Sequence, residues 1–205
     1  MVGFSFTECS GGVLTLDRLT GAFSSGDEIQ VPFVMANGTS TDFVTYQYLT
    51  LDNDGMDDGW YDLGWDYVGD MVELPQGSAV WYYSVSGSGD ITVSGEVSKL
   101  PFAKTFSDRY TMAASGFPTE FDPNAAKFSW NMSSGDEIQV PFTMANGSST
   151  DFVTYQYLTM DNDGMDDGWY DLGWGEISSI ADVGQGFWVY APAGGSVTEI
   201  SPIAE

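Results

Sequence analysis

Apolar side chains recur at every second position along much of this chain, the period of an extended strand. Ile29, Val31, Phe33 and Met35 alternate with Gln30, Pro32, Val34 and Ala36. Pro32 has no amide donor, which places the predicted strand at a sheet edge or on a bulge. Asn37-Gly38 follows, and residues 43–51 form a second run rich in β-branched and aromatic side chains. Asn-Gly between two such runs signals a hairpin. On the second strand Val44, Tyr46 and Tyr48 point one way, and Phe43, Thr45, Gln47, Leu49 and Leu51 the other. Both faces carry apolar groups, as expected inside a sandwich or at a subunit contact. Further strands are predicted over residues 13–16, 60–65, 79–85 and 91–97, with Ser86-Gly87-Ser88-Gly89-Asp90 turning the last two. No helical periodicity stands out.

A longer period overlies this one. Residues 26–65 return as 135–174, an offset of 109, changed only at Val34/Thr143, Thr39/Ser148 and Leu51/Met160. The likeness continues more loosely: 77–83 lines up with 184–190, 89–94 with 195–200, and Gly3-Phe4 with Gly116-Phe117. The counterpart strands fall at 138–145, 152–160, 169–174, 186–191 and 196–200. The pattern predicts an all-β chain of two tandem antiparallel β-sandwich or small-barrel modules, residues 1–98 and 99–205. Residues 99–115 (KLPFAKTFSDRYTMAAS) precede the second copy and have no equivalent in the first. They read either as a linker or as a strand whose counterpart copy 1 obtains from a neighbouring chain by β-addition.

Composition narrows the partners. The chain has 205 residues, 42% hydrophobic and 15% aromatic, enough for two cores of about 100 residues each. Thirty acids face five bases (Arg18, Lys99, Lys104, Arg109, Lys127), giving a net charge of −25 without any histidine. Nucleic acid and anionic membranes are excluded, because both require a basic face. Such charge suits an extracellular or cell-surface setting, where calcium or salt screens it. No run is apolar enough for a membrane span, and no signal peptide is recognisable at the N-terminus, so a secreted form has already lost it. Cys9 is single and reads as a buried apolar residue or a cross-chain partner.

Candidate chemistry is confined to the acidic loops. Asp52, Asn53, Asp54, Asp57 and Asp58, and their copies Asp161, Asn162, Asp163, Asp166 and Asp167, crowd carboxylates around glycines, with Asp62 and Asp171 close behind. Two carboxylates about 5 Å apart repel by roughly 3 kcal/mol at an effective dielectric near 20. Each loop therefore splays into water or holds a cation, and calcium suits hard oxygen ligands at alternate positions. The Asp-x-Asp-Gly-Met-x-Asp-Gly-Trp run resembles the aspartate-rich calcium repeats of thrombospondin type 3 and related bacterial cell-surface proteins. That resemblance implies calcium ligation, but Thr50 and Tyr61 stand where the pattern has carboxylates. Each copy is also similar, over most of its length, to tandem β-rich modules of secreted bacterial proteins with no assigned activity.

Seven tryptophans admit two uses. They fill cores and contacts between modules, or they stack on sugar rings. Parity places Trp60 and Trp65 on opposite faces, one inward and the other free to meet a neighbour. Without histidine there is no Ser-His or Cys-His pair, and the glycine-rich stretches lack a phosphate-loop lysine, so no enzymatic activity is expected. The duplication points instead to a self-associating structural subunit of an extracellular filament, surface layer or matrix. The alternative is a carbohydrate-binding or adhesive module pair acting by avidity, with glycans as partners.

Overall fold

Each copy builds its larger sheet from the alternating segments, because alternation lets one face of every strand bury while the other meets solvent or a second module. The computed structural model describes residues 1–4, 14–34, 41–50, 58–87, 91–107, 109–143, 150–159 and 167–204. In copy 1, β1 (Val2–Gly3), β3 (Glu28–Val34), β4 (Thr41–Leu49), β5 (Gly59–Tyr61) and β6 (Ala79–Tyr83) form an antiparallel sheet of order β1-β6-β3-β4-β5. A smaller sheet pairs β2 (Thr20–Gly21) with β7 (Ile91–Thr92).

Copy 2 repeats the plan. Strands β9 (Tyr110–Ala113), β11 (Glu137–Thr143), β12 (Thr150–Leu158), β13 (Gly168–Asp171) and β14 (Phe187–Tyr190) run in the order β13-β12-β11-β14-β9. Its smaller sheet joins β10 (Phe128–Asn131), β15 (Gly195–Glu199) and β8 (Phe102–Phe106). The architecture of the described residues is thus all-β and antiparallel, with no closed barrel among them. Among the described residues the helical content is one 3-10 turn, Leu16–Arg18.

Each copy has its own core. In copy 1, Phe4, Leu14, Leu16, Leu19, Ile29, Trp60, Leu74 and Val80 are buried together, and Ile91 of β7 closes over them. In copy 2, Ile138, Val140, Phe187 and Val189 from the larger sheet meet Phe106 and Val197 from the smaller one, around buried Trp169. Copy 2 also locks its sheets with a buried Glu199, whose carboxylate lies 3.2 Å from Lys127 Nζ and accepts the Gly116 amide at 2.8 Å.

Four expectations need correction. Strand β3 is central, with Pro32 opposite Phe43; but β6 pairs only with Glu28–Gln30, so the strand is locally an edge where proline stands. The run at 60–65 stops at Tyr61, because Asp62 folds the chain into a turn. Strands β6 and β7 belong to different sheets and do not pair as a hairpin, and residues 88–90 of the turn expected between them lie outside the described residues. The front segment contributes a bridge at Thr15 and the 3-10 turn in place of a strand. The β3–β4 hairpin is present, with Val34 opposite Thr41, while its Asn-Gly loop lies outside the described residues. Cys9 lies outside them as well.

Residues 99–115 supply two strands to copy 2, β8 beside β15 and β9 beside β14. Strand β9 has a counterpart in β1, which holds the same place in its sheet. Both strands lie at the junction between copies, and that junction is two-fold rather than head-to-tail. The Gly3 amide donates to Gly184 O at 2.9 Å, and the Ala114 amide donates to Gly77 O at 3.0 Å. Phe43 meets Trp188 edge-on at 6.2 Å, and its copy Phe152 meets Trp81, the copy of Trp188, at 6.3 Å. A Cβ on Gly3 would fall 2.3 Å from Ala114 Cβ, and one on Gly186 would fall 2.5 Å from Ala79 Cβ, so small residues let the backbones touch. Residue i meets j and j meets i, the signature of an isologous contact. Phe43, on the second face of β4, is therefore spent on the duplicate module.

Candidate functional site

A feature that recurs on both modules and exposes the largest side chain is a turn of sequence Asp-Leu-Gly-Trp, placed directly after β5 and at the end of β13. Asp62 accepts the Gly64 amide at 2.8 Å and the Asp66 amide at 3.0 Å through one oxygen, Oδ1. The Trp65 amide closes onto Asp62 O at 3.1 Å. In copy 2, Asp171 Oδ1 holds the Gly173 and Gly175 amides, both at 2.8 Å, and the Trp174 amide reaches Asp171 O at 3.0 Å. An aspartate that bonds the backbone ahead of it is a local turn device and needs no tertiary help.

The turn carries a cost. Trp65 and Trp174 stand at φ 71° and 68°, the left-handed region in which a β-carbon crowds the carbonyl, at about 1–2 kcal/mol per residue. They are the two non-glycine residues with positive φ among those described. Their indoles gain little burial in return: Trp65 is 64% and Trp174 63% exposed, beside equally exposed Leu63 and Leu172. By contrast Trp60 and Trp169 are buried at 1% and 0%. Parity correctly separated Trp60 from Trp65, although the separation comes from the turn and not from a continuous strand.

The acidic loop lies immediately before this turn. Of the ten predicted metal ligands, Asp58 and Asp167 are described and both are exposed. Asp52, Asn53, Asp54, Asp57, Asp161, Asn162, Asp163 and Asp166 lie outside the described residues. Among the described residues no cluster of three metal-ligating side chains occurs. Asp58 shares a cleft of about 430 Å³ with Asp17, Tyr48 and Tyr67. The Tyr67 hydroxyl donates to Asp17, and that carboxylate pushes the phenol up to about 12. Burial raises Tyr48 and Tyr157, and the neighbouring charges of Asp58 and Asp167 add to it. The charges of Asp58 and Asp167 therefore reach Tyr48 of β4 and Tyr157 of β12. Asp62 and Asp171 each spend Oδ1 on the turn.

Trp81 and Trp188 prove to be contacts between modules, and Trp130 packs on Trp169 in the copy 2 core at 5.1 Å. The chain matches no protein-family model, no curated protein and no solved structure.

Proposed function

We propose that this protein is a structural subunit of an extracellular filament, surface layer or matrix, and that it meets its neighbours through the paired Leu-Gly-Trp turns. The exposed, conformationally costly indole, present on both modules, is the observation that carries this reading. Backbone strain kept for no burial suits a residue whose partner lies outside the chain. Because the junction between copies is isologous and closed, it has no copy of itself left to offer, so growth of an assembly needs another contact. Two turns per chain supply two such contacts, the minimum for an open array. Calcium in the adjacent acidic loops would lower the repulsion that a chain of net charge −25 meets when it approaches its own kind.

Sedimentation at rising concentration, with calcium present, tests the proposal. The expected result is concentration-dependent oligomers that Trp65→Ala with Trp174→Ala returns to monomers. A native chain that stays monomeric at high concentration with calcium overturns it. A chelator should lower both the assembly and the melting temperature, and an unmoved midpoint removes the metal from the scheme.

A further inference from the structure

Several clefts border the two-fold junction. One, of about 490 Å³, is lined by Thr41 of copy 1 and by Arg109, Tyr110, Gln139, Phe152, Trp188 and Tyr190 of copy 2. A second, of about 370 Å³, holds Pro32, Phe33, Thr41 and Met112, and across the axis their counterparts Pro141, Phe142, Thr150 and Met1 line a cleft of about 310 Å³. Strand β9 and the residue before it give the first cleft an aromatic ring and a guanidinium from outside the duplicated block.

We propose that the larger cleft binds a pyranose ring of a neutral oligosaccharide. A pyranose presents an apolar C–H face bordered by hydroxyls, and its complement is a flat aromatic face with planar polar groups at the edge. Tyr110 and Tyr190 stack on each other, centroids 4.5 Å apart, and Trp188 stands edge-on to Tyr110 at 6.2 Å, forming a rigid aromatic wall. Gln139 stands beside that wall, its Nε2 donating to the Tyr110 hydroxyl at 3.4 Å and to Glu137 Oε2 at 2.9 Å; the Arg109 side chain lines the same cleft, and Thr41 Oγ1 donates to Tyr110 O at 3.2 Å across the junction. The volume lies within the range of small-ligand sites, roughly 300–1,000 Å³. No carboxylate lines the cleft among the described residues. A polyanion would meet the field of the whole molecule, whereas a neutral ring would not. This site is separate from the Leu-Gly-Trp turns and does not depend on self-association.

Calorimetric titration of the full chain with cellohexaose, laminarihexaose and N-acetylchitohexaose, each to millimolar concentration, tests the proposal. At least one probe should bind saturably, with one site per chain. Trp188→Ala and Tyr110→Ala should each weaken it at least about tenfold, the loss of one stacking face. Trp81→Ala, which opens the duplicate contact with Phe152 but leaves Tyr110, Tyr190 and Trp188 in place, should weaken binding far less than Trp188→Ala and thereby separates ligand loss from a loosened junction. Trp65→Ala with Trp174→Ala should retain it too, even where assembly is lost. No saturable binding of any probe, or binding unchanged by both cleft substitutions, overturns the proposal. Binding lost with the turn tryptophans overturns it as well.

Discussion

Identical residues in the two copies do not behave identically, because their partners sit outside the duplicated block. Asp27 and Asp136 are both buried, at 0% and 1%. The register pairs Glu28 with Tyr83 and Glu137 with Tyr190, so Tyr82, Ser84 and Val85 correspond to Val189, Ala191 and Pro192. Burial alone would raise Asp27. Hydrogen bonds from the Ser24 and Val85 amides and from Tyr82 outweigh it, and its carboxyl sits below the usual range. Copy 2 has a valine and a proline in place of Tyr82 and Val85 and keeps only the serine amide. Burial dominates there, and Asp136 is raised despite the Ser133 amide at 2.7 Å. A lowered carboxyl stabilises above its unfolded value and loses that contribution as pH falls. A raised one costs stability at neutral pH and is relieved on acidification. Asp27→Asn should therefore destabilise at pH 7 by at least about 1 kcal/mol more than Asp136→Asn, with the gap closing toward pH 3, in melting curves. At the turn, Trp65→Gly should leave the melting temperature unchanged or raise stability by up to about 1 kcal/mol, since the left-handed strain goes and little buried surface is lost.

At the level of elements, β8 ties the modules together. Its Lys104 donates from Nζ to Gly77 O at 2.7 Å, and desolvation there lowers the amine to about 8. Gly77 itself needs glycine, with φ 69° and the Phe102 ring 2.2 Å from where a Cβ would lie. The unfolded lysine keeps its proton to about 10.4, so the unfolded chain binds more protons between pH 8 and 10. Stability should rise with pH across that window. The raised tyrosines, Tyr67 at about 12 among them, reverse the trend only above pH 10, where unfolded phenols ionise first. Lys104→Met should flatten the rise between pH 8 and 10 in chemical denaturation; a rise that persists would assign it to other groups.

At the scale of the whole molecule, the duplication is answered first inside the chain. The two Phe–Trp pairs stand at 6.2 and 6.3 Å with interplanar angles of 82° and 80°, so they should couple with nearly equal energy. Double-mutant cycles on Phe43 with Trp188, and on Phe152 with Trp81, should each give about 0.5–1.5 kcal/mol. Markedly unequal values would mean that the junction is not two-fold in solution. The net charge of −25 acts at this scale too, opposing any further association that lacks salt, calcium or a desolvated aromatic contact.

Much of this was legible in residue order. The period of two located the long strands of both copies to within a few residues, because side-chain alternation is a local property of extended backbone. The repeat gave the module twice, and parity set Trp60 and Trp65 on opposite faces, while only the structure decided that Trp60 is the buried one. What residue order left open was non-local. It did not say that β6 and β7 join different sheets, that 99–115 become two strands of copy 2, or that Trp81 and Trp188 face each other's partners across an axis. Those outcomes depend on which surfaces meet once each module has formed. Pairing between distant surfaces is set by shape, by glycine gaps such as Gly3 and Gly186, and by aromatic edges, none of which leaves a period along the chain.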